Sequence, residues 1–154
     1  MPGNQDVEKV LITGIAGGQG RLLTRRLREN YEVCGVDRAS WEGAPRGVSV
    51  HVVDLRKKKF EDVIRTELPN AVIHMGFIRD FKGDEKKRHD VNVRGTKQLL
   101  DHCANYGVQK LVVLSSGYAE EKALDGCCPG NTVFLQKPYT VSALAAKLRE
   151  ILPD

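Results

Sequence analysis

Residues 9–20 read KVLITGIAGGQG. A β-branched apolar run stops on glycines spaced G-x-x-G-x-x-G at Gly14, Gly17 and Gly20, and an amphipathic segment begins at once. No other stretch restricts the fold as strongly. Gly14 permits a tight turn out of a strand, and Gly17 lets backbone N–H groups approach an anion with no Cβ in the way. Gly20 lets the following helix lie close against the sheet. The N-terminus of that helix favours phosphate. Asp37 ends the next apolar run, at the distance of about 20 residues where a carboxylate accepts from ribose hydroxyls in dinucleotide sites. That carboxylate repels a 2′-phosphate, which favours NAD over NADP, while neighbouring Arg38 keeps NADP open.

The rest of the chain alternates in the same way. Strands are predicted at Lys9–Thr13, Glu32–Asp37, Val48–Val53, Ala71–Met75, Lys110–Ser115 and Thr132–Gln136. Near-continuous Val, Ile and Leu in the first, fourth and fifth predicts burial on both faces. Helical spacing covers Gly20–Glu29, Lys58–Leu68, about Asp84–Tyr106 with Gly107 as its stop, and a last helix capped by Thr140. RASWEGAPRG (38–47) has no helical period, so the second crossover is expected to be a loop or a single turn. Strands alternating with helices predict an α/β fold: one three-layer, doubly wound, Rossmann-like domain over 1–154, with a six-stranded parallel sheet in the order 3-2-1-4-5-6.

Composition excludes several classes. The formal net charge of +4 is compatible with an anionic ligand and does not call for nucleic acid. Lys57-Lys58-Lys59 and Lys86-Lys87-Arg88 read as solvated faces. The cysteines Cys34, Cys103, Cys127 and Cys128 lack C-x-x-C spacing, and the four histidines are scattered, so neither a disulfide framework nor a metal is expected. No apolar run reaches spanning length and the start is no signal peptide. The expectation is a cytoplasmic protein with no membrane and no specific protein partner.

Residues 8–114 resemble the extended short-chain dehydrogenase/reductases, the NAD-dependent epimerase and dehydratase group. The likeness rests on T-G-x-x-G-x-x-G at Thr13–Gly20, Asp37, Asp54-Leu55, VIHMGF at 72–77, NVRGT at 92–96 and VQKLVVLSS at 108–116. It departs from the family's H-L-A-A at Met75, Gly76 and Phe77. The resemblance implies an NAD site formed by Gly14, Gly17, Gly18, Gln19, Gly20, Asp37, Arg38, Asp54 and Leu55, with the last two beside adenine.

In that family a Ser from the fifth strand works with Tyr and Lys one helical turn apart, the lysine lowering a tyrosine pKa that is otherwise near 10. Ser116, Tyr118 and Lys122 spell these parts, but Ser116 and Tyr118 stand two residues apart, far closer than the family places them. After Lys122 come residues 123–154, too few for the family's substrate lobe. The expectation is that no residue here is catalytic and that the chain is not an enzyme.

Residues 112–152 resemble the last third of a response-regulator receiver domain, with SGYAEE, FLQKPY and a closing LREIL. That resemblance implies a phosphate-contacting Lys137 and a cis bond before Pro138. The receiver's acidic pair is replaced by Thr13-Gly14-Ile15, and its phosphoacceptor by His74-Met75-Gly76. The two likenesses together suggest an engineered or recombined chimera, with residues 1–114 as an NAD-binding part and 115–154 as a receiver-derived helix–strand–helix. On this reading it is inactive and retains at most weak NAD binding. A purely structural protein without ligand and a truncated NAD-dependent epimerase or oxidoreductase are the alternatives.

Overall fold

The computed structural model describes residues 8–75, 84–115, 132–136 and 140–151. In chain order these form β1 (Lys9–Thr13), α1 (Gly18–Leu27), β2 (Glu32–Asp37), β3 (Ser49–Val52), α2 (Lys58–Glu67) and β4 (Ala71–His74). There follow α3 (Glu85–His89), a π-helical turn (Asp90–Arg94), α4 (Gly95–Asn105), β5 (Lys110–Ser115), β6 (Thr132–Gln136) and α5 (Val141–Ile151).

All six strands pair in parallel in the order β3-β2-β1-β4-β5-β6, as the alternation predicts. β1 lies between β2 and β4, with Val10 opposite both Val33 and Ala71. The direction of winding reverses between β1 and β4. Such a switch point opens a crevice at the carboxyl ends of the strands, where ligands of this fold class bind.

Period-two alternation sends successive residues to opposite layers. Leu11, Val72, Leu111 and Val113 meet Phe60, Val63 and Ile64 of α2 and Leu99, Leu100 and Cys103 of α4. Val10, Ile12, Ile73, Val112 and Leu114 face the other way, toward Leu23 and Leu27 of α1 and Leu144 and Leu148 of α5. Every residue of β4 is buried, as expected for an inner strand covered on both faces. Each fully buried Leu or Ile stabilises the fold by about 1.5–3 kcal/mol.

Local chemistry sets the element ends. α1 starts two residues earlier than its apolar period suggests, because Gly17 takes an extended conformation and caps it. α2 ends at Leu68, whose backbone is left-handed (φ 46°) and whose N–H donates to the Ile64 carbonyl. The long segment near 84–106 is split by the π turn. Asp84 caps its start by accepting from the Lys86 N–H, and Gly107 (φ 70°) ends it. Thr140 caps α5 through the Ala143 N–H at 3.0 Å. Residues 38–48 hold neither helix nor strand, and their Trp41 is buried against the α1 layer. Among the described residues no helix is long and apolar enough to cross a membrane.

Candidate functional site

The glycine loop leaves β1 at Gly14, whose φ of 75° disfavours any side chain. The Gly14 and Ile15 N–H groups both donate to the Val36 carbonyl, at 2.9 and 3.3 Å, so the loop folds onto β2. A Cβ on Gly20 would stand 2.3 Å from the Gly14 carbonyl oxygen and 2.9 Å from the Ile15 Cα, which is why α1 can lie so close only with glycine there. A Cβ on Gly17 would reach 3.3 Å from the same oxygen. At Gly18 a Cβ would meet nothing within 4 Å, so its side points into open space. Gln19 is half-buried in the same first turn of α1.

Asp37 is held by this loop. Its Oδ2 accepts from the Ala16 N–H at 3.0 Å and its Oδ1 from the Ala39 N–H at 3.0 Å. Each carboxylate oxygen retains a further acceptor lone pair. Arg38 is exposed beside it. The Val53 N–H donates to the Asp37 carbonyl at 2.9 Å, bringing Asp54 and Leu55 alongside the end of β2. The sequence-predicted residues therefore gather along one edge of the sheet.

Asp54 is not left open. The Arg56 guanidinium donates to both of its oxygens, at 3.1 and 2.8 Å, and the Arg56 N–H adds a third bond at 2.9 Å. These hydrogen bonds hold its carboxyl down to about 2. Arg56 also reaches Asp90 at 2.8 Å, and Asp90 in turn pairs with Arg94. The loop carrying Leu55 is thereby fastened to the π turn, with Gly95 packed beneath Leu55 and Arg56. π turns are frequent at functional sites.

Sequence reasoning missed four contributors. Gly35 is one: a Cβ there would stand 2.5 Å from both the Ile12 carbonyl oxygen and Ile15 Cδ1, so the glycine loop can settle on β2 only over a bare backbone. A glycine inside a strand is the signal that could have found it. Arg56 is another. Trp41 is the third, lying beneath the Arg21 and Arg25 guanidiniums at 5.4 and 5.8 Å from its ring centre, while Arg21 Nε donates to the Ala16 carbonyl at 2.7 Å. The fourth is buried His74, whose Nδ1 lies 2.6 Å from Thr13 Oγ1 and Nε2 2.7 Å from Thr96 Oγ1. Burial pushes its pKa down to about 3, so the ring is neutral. The buried thiols Cys34 and Cys103 are pushed up to about 12, chiefly by burial, and are inert at neutral pH.

Residues 10–147 match the model of the NAD dependent epimerase/dehydratase family. The chain belongs to that family. A putative UDP-glucose 4-epimerase of Methanocaldococcus jannaschii is 30% identical over 118 residues, which cover 71% of this chain and 38% of the epimerase. Two solved structures share the fold. UDP-glucose 4-epimerase of Thermotoga maritima with UDP-glucose has a TM-score of 0.66 and 25% identity, over 71% of this chain and 38% of its own. A short-chain dehydrogenase/reductase superfamily protein of Agrobacterium tumefaciens with bound NAD has a TM-score of 0.62 and 32% identity, over 71% and 33%. The chain spans 12% to 46% of the length of the curated relatives it matches in mycobacteria, Methanocaldococcus jannaschii and Bacillus subtilis.

These findings correct the sequence reading at three points. The family match runs on through β5, β6 and most of α5 to residue 147, so no receiver portion begins near 112 and the chain is not a chimera. The likeness of the tail rests on short segments, and a shared α/β layer architecture places a strand and an amphipathic helix there without any shared lineage. The reading as an inactive fusion falls with the chimera. So does the expectation of no enzyme, because the family is one of NAD dependent epimerases and dehydratases and the relatives include UDP-glucose 4-epimerase. Ser116, Tyr118 and Lys122, on which that expectation leaned, lie outside the described residues, as do Lys137 and Pro138 with the expected cis bond.

Proposed function

We propose that this chain binds NAD at the carboxyl edge of β1, β2 and β4 and belongs to an enzyme that acts on a nucleotide-sugar class of substrate. The observation that carries the reading is the Asp37 carboxylate, pinned by the Ala16 N–H of the glycine loop at 3.0 Å. It presents its remaining lone pairs for the hydroxyls of a ribose. Gly14 and Gly17 shape the turn, and the first turn of α1 at Gly18, Gln19 and Gly20 turns its N–H groups and the positive end of the helix toward a pyrophosphate. Leu55 gives the adenine an apolar wall, and Asp54, neutralised by Arg56, frames it. Arg38 stands at the mouth, where its charge favours the cofactor's phosphates. Bound NAD supplies a hydride acceptor, and the residues named here bind and orient it. The substrate class is supported by the Thermotoga maritima relative solved with UDP-glucose.

Thermal unfolding with and without NAD tests the reading. A ligand at a hundredfold its Kd stabilises by about 2.7 kcal/mol, or roughly 5–10 °C in Tm for a chain of this size. Asp37→Ala is expected to abolish the shift. No shift in wild-type chain at millimolar NAD would remove the proposal.

A further inference from the structure

His74, Thr13 and Thr96 form a chain of buried polar side chains. Thr96 Oγ1 donates its single proton to the Asn92 carbonyl, at 2.6 Å. It has no second proton for His74, so across their 2.7 Å contact the ring must donate and the hydroxyl accept. His74 therefore carries its hydrogen on Nε2. A neutral ring then has a bare Nδ1, and Thr13 Oγ1, 2.6 Å away, donates to it. The same Thr13 oxygen accepts from the Met75 N–H at 2.9 Å. The protons all point one way: Met75 N–H to Thr13, Thr13 to His74, His74 to Thr96, Thr96 to the carbonyl of the π turn.

The position of this chain matters as much as its direction. Thr13 is the last residue of β1 and adjoins Gly14. His74 ends β4, and Thr13 and His74 are direct partners in the register. Between these two strands the winding of the sheet reverses. Thr96 opens α4 just after the π turn, whose Asp90 holds Arg56 and with it the Leu55 loop. One histidine thus joins the glycine loop, the exit of β4 and the π turn.

We infer that His74, held as the Nε2–H tautomer, is a positioning residue that fixes the floor of the cofactor crevice by locking β1, β4 and the π turn into one arrangement. The inference rests on the cofactor reading above. It requires the relay to transmit, so a break at Thr96 should loosen NAD although Thr96 lies at the far end of the chain from Gly14.

Two measurements test it. Nitrogen-15 NMR of the histidines in the ligand-free chain should show His74 at neutral pH with Nε2 protonated and Nδ1 bare. The opposite tautomer, or an imidazolium, overturns the relay. NAD titration should then find Thr96→Val weaker by about five- to tenfold, the loss of one hydrogen bond's worth of positioning, and Thr96→Ser restored to within about twofold. A folded Thr96→Val with unchanged Kd overturns the positioning role, since a merely structural contact would lower Tm and leave Kd alone. Thr96→Ala serves if the valine variant does not fold. Failure of the wild-type chain to bind NAD would sink the cofactor reading, and the tautomer would still decide whether the relay exists.

Discussion

The glycines of the loop differ in what each tolerates, and replacing them one at a time by alanine should separate the needs of folding from those of binding. At Gly20 the added Cβ would stand 2.3 Å from the Gly14 carbonyl oxygen and 2.9 Å from both Ile15 Cα and Ile15 O. These are backbone atoms, so relief requires the loop or the helix to move by about 1 Å, and overpacking of this kind costs about 1–3 kcal/mol. The movement would also stretch the Gly14 and Ile15 bonds to Val36 and the Ala16 bond to Asp37. At Gly18 the Cβ meets nothing, and its φ lies outside the left-handed region. Alanine there restricts the unfolded chain and should stabilise the free protein by about 0.4–1 kcal/mol. The two variants are therefore expected to move Tm in opposite directions: down by roughly 2–12 °C for Gly20→Ala and up by roughly 1–4 °C for Gly18→Ala. NAD titration should find both weakened, because the Gly18 methyl would enter the space proposed for the pyrophosphate. Urea unfolding followed by circular dichroism and calorimetric titration read the two quantities separately. A Gly18→Ala variant that binds NAD as wild type does would refute the placement of the phosphates at this turn. A Gly20→Ala variant of wild-type stability would refute the steric account.

Other consequences follow from the polar contacts. His74 is neutral and buried with a folded pKa of about 3 against 6.5 when exposed, so the unfolded state takes up a proton that the native state refuses. Stability should be whole above pH 6.5 and decline by about 1.4 kcal/mol per unit as pH falls from there toward 3. Urea midpoints measured from pH 7 to 5 check the slope, which His74→Gln should flatten. Leu68 holds a left-handed backbone at the end of α2 with its side chain 59% exposed. Leu68→Gly removes a strain of about 1–2 kcal/mol against a backbone entropy cost of about 0.4–1 kcal/mol; a small rise in Tm is expected, and a fall would count against it. Arg56→Met should return the Asp54 titration from about 2 toward the ordinary carboxylate range, which carbon-13 NMR of the carboxyls reads directly.

The tail teaches where local reading misleads. Residues 132–151 have the alternation, cap and apolar spacing of a strand and helix, and these were legible: β6 and α5 form where the periodicity puts them, with Thr140 as the cap. Lineage was not legible there, because many sequences meet the same local requirements. Residues 84–106 show the complementary failure. Their apolar spacing gives a helix but conceals the π turn at Asp90–Arg94, which is accompanied by ion pairs to Arg56 and Arg94 and by the Thr96 hydroxyl on the Asn92 carbonyl. Arg56 lies 34 positions from Asp90, and no window of sequence contains both.

Sequence alone determined the strands, their order and the glycine loop with Asp37 at the end of the next strand. These depend on period, turn chemistry and the handedness of crossovers, all of them properties of short segments. Tertiary structure decided what those segments do to one another. It placed Gly35 under Ile15, tied Arg56 to Asp90, and threaded His74 between Thr13 and Thr96, which lie 61 and 22 positions from it. The physical reason is plainest at His74. A buried polar group must find its partner wherever the sheet brings one, and pairing of β1 with β4 sets that meeting place, not proximity along the chain.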